Sequence, residues 1–327
     1  MIDQQRLTSL EICAGAGGQA LGLECAGFDP VALVEIDRHA CGTLRANRPR
    51  WNVLETDLLA FDPHDHPYVH DVDLFAAGLP RVRSNASVAR VDGDHELALL
   101  KATIWLVHGV RPRAVLIENV PELATAEPYA EIRHFVQEEL EHLGYRLFWR
   151  VLNASDFGVP QDRRQGVLVA LAEEVAKGLD WPAPHREPPP TVGEALMPSM
   201  GSGGWPHAAA WAARAGRIAP AIVGGSKNRG GADLGPSGTK KSWARLGVNG
   251  ISIGDTVPDP DFPWLPQGDP KLLPKLTVEQ VAIIQGMPAD WELVGGKTSR
   301  YRQLGHACPP PVATALGHRL AAALSPR

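Results

Sequence analysis

The chain of 327 residues carries a formal net charge of −5, with 44% hydrophobic and 21% charged residues. That composition excludes a wholly disordered chain, and no apolar run reaches the roughly 18 residues that a bilayer span requires. The acidic balance gives no global pull toward nucleic acid, so any DNA contact must come from a local basic patch. Cys13, Cys25, Cys41 and Cys308 show no close pairing. A disulfide framework and a structural zinc site are therefore not expected, and a reducing cytoplasm is the expected location. The first residues lack the charged-then-apolar build of a secretion signal.

Residues 7–13 form an apolar run that ends in a glycine-rich turn, Gly15, Gly17 and Gly18. A helix is predicted from Gln19 to Ala26, then a strand over Val31–Val34 ending at Glu35, and a helix to Asn47. Short strands follow around Val53, closing at Asp57, and over Val72–Ala76, running into Leu79-Pro80. A helix near 96–107 leads to the apolar strand Ala114–Ile117, which ends in Glu118-Asn119. Ile132, Phe135, Val136, Leu140 and Leu143 recur at helical spacing, and strands over Leu147–Val151 and Gly166–Leu171 complete the set. Strands alternating with helices predict an α/β domain with a mainly parallel sheet. From about 173 to 272 Pro- and Gly-rich stretches replace that pattern and suggest a second, irregular domain. Helices resume over Leu276–Gln285 and from Pro309 to Leu324.

In an α/β sheet ligands bind at the carboxyl ends of strands, where the suggestive polar residues fall. The glycine turn lets a cofactor approach the backbone near a positive helix end, although such turns often only close a tight connection. Glu35 suits ribose hydroxyls, and Asp57 suits an adenine amino group. Glu118 is either a helix cap or a general acid. In 161–165, alternation puts Gln161, Arg163 and Gln165 on one side and Arg164 on the other. His64, His66 and His70 with Asp65, Asp71 and Asp73 match no standard metal spacing and read as a solvated loop, so no metal is expected. Residues 211–250 hold Arg214, Arg217, Lys227, Arg229, Lys240, Lys241 and Arg245 against one acid, Asp233. Lysine and arginine on Gly-rich loops suit phosphate contacts, the alternative being a solubilising surface.

Taken in order, these residues resemble the DNA cytosine-5 methyltransferases. The resemblance runs from LEICAGAGGQALGLECAGF at 10–28 through VEID at 34–37, TDL at 56–58, AAGLP at 76–80 and IENV at 117–120. It continues through NASDFGVPQDRR at 153–164 and KLTVEQVAIIQGMPADW at 275–291 to YRQLGHACPPPVATALG at 301–317. It implies a Rossmann-like S-adenosylmethionine methyltransferase fold over 1–172, a smaller target-recognition domain over 173–272, and a segment over 273–327 returning to the first. It places S-adenosylmethionine on Cys13, Gly15, Gly17, Gly18, Glu35, Asp57, Leu58 and Pro80. Glu118 and Arg163 would serve a flipped cytosine, and Gln161, Lys227, Arg229, Lys240, Lys241 and Arg245 would meet duplex DNA.

The chain departs from the family at the reaction centre. The nucleophilic cysteine is expected after Pro80, where Arg81 stands, and a guanidinium cannot add to a pyrimidine as a thiolate does. Gln165 takes the place of a second arginine, and His306 that of an asparagine. These departures lead to the expectation of a DNA-binding homologue that is inactive alone, a silent partner of an active methyltransferase or restriction enzyme, with Arg81 entering the base pocket to pair with Glu118. The alternative is an active cytosine-5 methyltransferase with another nucleophile, Cys308 being the candidate, or altered chemistry using His306.

Overall fold

Strand and helix alternate through the first half of the computed structural model, which describes residues 6–82, 95–176, 179–224, 231–265 and 268–325. In chain order the elements are β1 (Leu7–Ile12), α1 (Gly18–Cys25), β2 (Phe28–Glu35), α2 (Arg38–Asn47), β3 (Val53–Glu55), β4 (Leu74–Gly78), α3 (His95–Val110), β5 (Ala114–Asn119), α4 (Pro121–Thr125), α5 (Ala130–His142) and β6 (Tyr145–Asn153). Then come β7 (Gln161–Asp162), β8 (Arg164–Ala172), α6 (Val192–Gly201), α7 (Ala208–Arg214), β9 (Ala219–Pro220), α8 (Ser237–Arg245), α9 (Val278–Ile284), α10 (Lys297–His306) and α11 (Pro310–Leu324).

Seven strands form one mixed sheet in the order β3-β2-β1-β4-β5-β8-β6. Strands β1 to β5 pair in parallel, and β8 runs antiparallel to β5. Alternation sends Leu10, Ile12, Val34, Phe75, Ala77, Val115 and Ile117 into one core with Leu100, Ile104 and Val107 of α3 and Ile132, Val136 and Leu140 of α5. After β3 the chain returns to lay β4 on the other side of β1, so the order reverses between these two strands. In α/β sheets ligands bind at the carboxyl ends of strands beside such a reversal, and the glycine turn and the segment after Gly78 emerge there.

The chain divides into two compact units. The first takes residues up to Leu152, then Arg164–Ala183 and Val312 onward; the second takes Asn153–Arg163 and Pro184–Pro311. In the first, α11 lies so close to α1 that a Cβ on Gly317 would come within 2.6 Å of the Ala26 Cβ. In the second, Trp211, Trp243 and Tyr301 are fully buried. Thr191 with Glu194 and Thr277 with Gln280 form capping boxes that start α6 and α9. The strands β7 and β9 pair in parallel as a separate two-stranded sheet.

Candidate cofactor and base-binding residues

The glycine turn is bent by three left-handed residues, Cys13 (φ 52°), Gly15 (φ 54°) and Gly17 (φ 81°). Gly17 caps α1 without a side chain, which leaves the helix start bare. Glu35 closes this turn from β2: Oε2 accepts from Gly15 N and Oε1 from Asp37 N, both at 2.7 Å. Burial raises the Glu35 pKa, and these backbone N–H groups oppose the shift. A carboxylate offers about four acceptor sites, so Glu35 keeps capacity beyond its bonds from the Gly15, Ile36 and Asp37 N–H groups. Asp57 lies two residues past β3 and accepts from Leu59 N at 2.9 Å. Leu58 is buried beside it.

Two residues missed by the sequence reasoning stand here. Ile36, directly after Glu35, is 58% exposed, and Leu59, two after Asp57, is 52% exposed. Large exposed aliphatic side chains next to fixed carboxylates are what a nucleoside needs, an apolar face with polar anchors. At Gly78 a Cβ would sit 3.4 Å from the Cys13 carbonyl, so β4 passes close to the turn. Bare helix start, anchored Glu35 and the apolar flank together fit S-adenosylmethionine.

Glu118, the penultimate residue of β5, is in register with Gly78 of β4 and Val167 of β8 and is half-buried. Its neighbour Asn119, also missed, organises the segment after β4. Asn119 Nδ2 donates to the Pro80 carbonyl at 3.1 Å, and Oδ1 accepts from Val82 N at 3.1 Å and Val120 N at 2.9 Å. The Tyr129 hydroxyl donates to the Val82 carbonyl. Arg81 is thus held by its backbone on both sides while its side chain is exposed. Arg81 is exposed, whereas Glu118 is half-buried in the sheet. Gln165 is buried at the start of β8, one residue before Gly166, where a Cβ would strike the Val120 carbonyl at 2.2 Å.

In the second unit Gln161 and Arg163 are buried, and Arg163 Nη1 donates to the carbonyls of Ile222 at 2.8 Å and Gly305 at 3.2 Å. His306, the exposed last residue of α10, lies against Gly224, where a Cβ would come within 2.0 Å of its ring. Lys241 and Arg245 on α8 are exposed, whereas Lys240 is paired with Asp233 at 3.0 Å. Lys227 and Arg229 lie outside the described residues. Cys308 is buried, and burial pushes the Cys13 thiol up to about 12. In the histidine loop His64 Nδ1 bonds Asp62 at 2.9 Å, and His70 Nδ1 bonds the Gly109 carbonyl. No helix among the described residues is long and apolar enough to cross a membrane.

The profile of the C-5 cytosine-specific DNA methylases matches residues 7–322. The chain is 45% identical over 325 residues to the type II methyltransferase M.NaeI of Lentzea aerocolonigenes, covering 98% of this chain and 76% of that protein. It is 40% identical over 322 residues to M.NgoMIV of Neisseria gonorrhoeae, covering 98% of each. Among solved structures, S. pombe Dnmt2 matches with a TM-score of 0.64 at 17% identity, over 97% of this chain and 99% of that one. The Entamoeba histolytica methyltransferase EhMeth matches with a TM-score of 0.66 at 13% identity, over 99% and 100%. These two share the fold. The near full-length identity to two type II methyltransferases overturns the expectation of a silent, inactive homologue. The chain belongs to the C-5 cytosine-specific DNA methylase family.

Proposed function

We propose that the protein is an S-adenosylmethionine-dependent DNA cytosine-5 methyltransferase of the restriction–modification kind. The observation that carries this reading is 45% identity to a type II methyltransferase through 98% of the chain. Gly15, Gly17 and Gly18 offer backbone to the cofactor, Glu35 holds its ribose, Asp57 its adenine amino group, and Ile36 and Leu59 the faces of the base. Bound there, the cofactor supplies a methyl group on a positively charged sulfonium.

Carbon-5 of cytosine is a weak nucleophile until another group adds to carbon-6. A flipped cytosine meets Glu118, which hydrogen-bonds N3 and stabilises the adduct. Asn119 holds the peptide groups on either side of Arg81. A guanidinium does not add to a pyrimidine as a thiolate does, so the nucleophile comes from a position other than Arg81. Arg163, Gln165 and His306 are the remaining residues assigned to the base site, and Lys227, Arg229, Lys241 and Arg245 are assigned to DNA phosphates. A cognate restriction enzyme is the natural partner of such an activity.

Purified protein incubated with unmethylated plasmid and S-adenosylmethionine tests the reading by bisulfite sequencing. Protected cytosines within one recurring sequence are expected; uniform conversion of every cytosine overturns it.

A further inference from the structure

Glu11, the penultimate residue of β1, lies between Leu33 of β2 and Ala76 of β4. Its neighbours Leu10 and Ile12 enter the core shared with α3 and α5, so alternation turns Glu11 to the opposite face of the sheet. It is 1% exposed, and among the described residues neither carboxyl oxygen has a hydrogen-bond partner. The Ala20 N–H of α1 favours its charged form without closing a hydrogen bond. Gln19, one residue earlier at the same helix start, is also buried, with its Nε2 unpartnered.

This carboxyl lacks a counter-charge. Among the described residues Glu35 of β2 is the charged group that acts on Glu11, and it repels a second negative charge. Cys13, two residues on, is a neutral thiol, pushed up to about 12 by burial and then by Glu35, Asp57 and Glu11. Helix α1 carries no acid in its first turn and no base in its last. On α11, which packs on α1 at Gly317, His318 is exposed and Arg319 pairs with Asp180 at 3.4 Å. Burial pushes the Glu11 carboxyl up to about 8, so it keeps its proton at neutral pH.

Glu35, which repels Glu11, is the residue that holds Gly15 N, and Ala20 lies in the first turn of the helix that begins bare at Gly17. The unpaired carboxyl thus belongs to the glycine turn. A cationic cofactor seated at that turn meets buried acids, and charges attract far more strongly there than in water. We propose that Glu11 is a charge-selecting residue of the cofactor site: it holds a proton beneath the empty turn and beneath neutral S-adenosylhomocysteine, and gives that proton to solvent when the cationic S-adenosylmethionine is bound. Glu11 acts through its charge and touches neither ligand. Loss of the cation on methyl transfer returns a proton from solvent to Glu11, so the site prefers fresh over spent cofactor as pH rises. The proposal rests on the S-adenosylmethionine reading.

The test titrates the full-length protein and Glu11→Gln with each ligand by calorimetry, in phosphate and in Tris, whose different ionisation heats count the protons exchanged. A tenfold fall in the proton affinity of Glu11 beside the cation sets the expected size. At about pH 7.5 S-adenosylmethionine is expected to release about half a proton more from the native protein than from Glu11→Gln. S-adenosylhomocysteine is expected to release the same number from both. The preference for S-adenosylmethionine over S-adenosylhomocysteine should grow about eightfold between about pH 6 and about pH 8.5 in the native protein, relative to the variant. The ligand amino groups, Glu35 and Asp57 are common to both proteins, so the comparison isolates residue 11. A role confined to stability would shift the melts and leave this preference parallel in the two proteins.

Equal proton release from the two proteins, or a preference that follows the same pH course in both, overturns the proposal. If Glu11→Gln does not fold, the native counts at about pH 7, where the amino groups of both ligands are charged, decide alone. A surplus released by S-adenosylmethionine then upholds the proposal and equal counts overturn it. A native protein that binds neither ligand overturns this inference together with the cofactor reading, whereas binding of both without the expected difference overturns this inference alone.

Discussion

Asn119 donates from Nδ2 to the Pro80 carbonyl at 3.1 Å while its Oδ1 accepts from Val82 N, so one buried amide brackets the peptide groups on either side of Arg81. Asn119→Leu keeps the volume and loses all of these bonds, leaving buried backbone groups unmet. The expected cost is about 2 kcal/mol or more in a denaturant melt. Methylation should fall more steeply than cofactor binding, since the glycine turn is not touched. Equal losses in both would show that Asn119 acts only on overall stability.

Glu35 bridges the glycine turn to the start of α2 through Gly15 N and Asp37 N. Glu35→Ala should weaken S-adenosylmethionine binding by about tenfold or more, because it removes both the proposed ribose acceptor and the brace on Gly15. Isothermal titration calorimetry reads this directly. Unchanged affinity would remove Glu35 from the cofactor site.

Glu11 is buried in β1, and burial pushes its pKa up from 4.5 to about 8, with the Ala20 N–H opposing and Glu35 adding to the rise. Between those values the folded chain binds a proton that the unfolded chain has lost. Stability contributed by this group is therefore present below 4.5, falls as pH rises toward 8 and levels off above. Glu11→Gln should flatten that slope and raise the melting temperature at about pH 8 by several degrees relative to the native protein. A pH dependence identical to the native one would rule out Glu11 as its source.

Lys241 and Arg245 are exposed on α8, while Lys240 is already engaged by Asp233. Replacing both Lys241 and Arg245 with alanine should weaken duplex binding and lower the salt slope by about two. Lys240→Ala should change the slope less. Affinity measured against salt concentration separates these outcomes.

Much of the sheet could be read from the sequence because the buried stretches of β2, β4 and β5 are short apolar runs that stop at a polar residue or glycine. Alternation also read correctly through 161–165: Gln161, Arg163 and Gln165 are buried, and Asp162 and Arg164 are exposed. Periodicity gives a face and not a partner, so the links from Gln161 to Ile222 and Gln285, 61 and 124 residues away, were not legible. Asn119 was hidden for the same reason, since Pro80 lies 39 residues away in sequence. The expectation of inactivity gave three local departures, Arg81, Gln165 and His306, more weight than the rest of the chain. Identity of 40% and 45% over nearly all of it reversed that balance.

Methyl transfer to cytosine is read from 5-methylcytosine in the DNA of a host that has none of its own. The chain is expressed there, and nucleosides from digested host DNA are quantified by mass spectrometry, with Glu118→Gln expressed in parallel. The expected result is 5-methylcytosine with the native chain and a loss of about a hundredfold or more with Glu118→Gln. DNA free of 5-methylcytosine, in cells that hold the folded native chain, would contradict it.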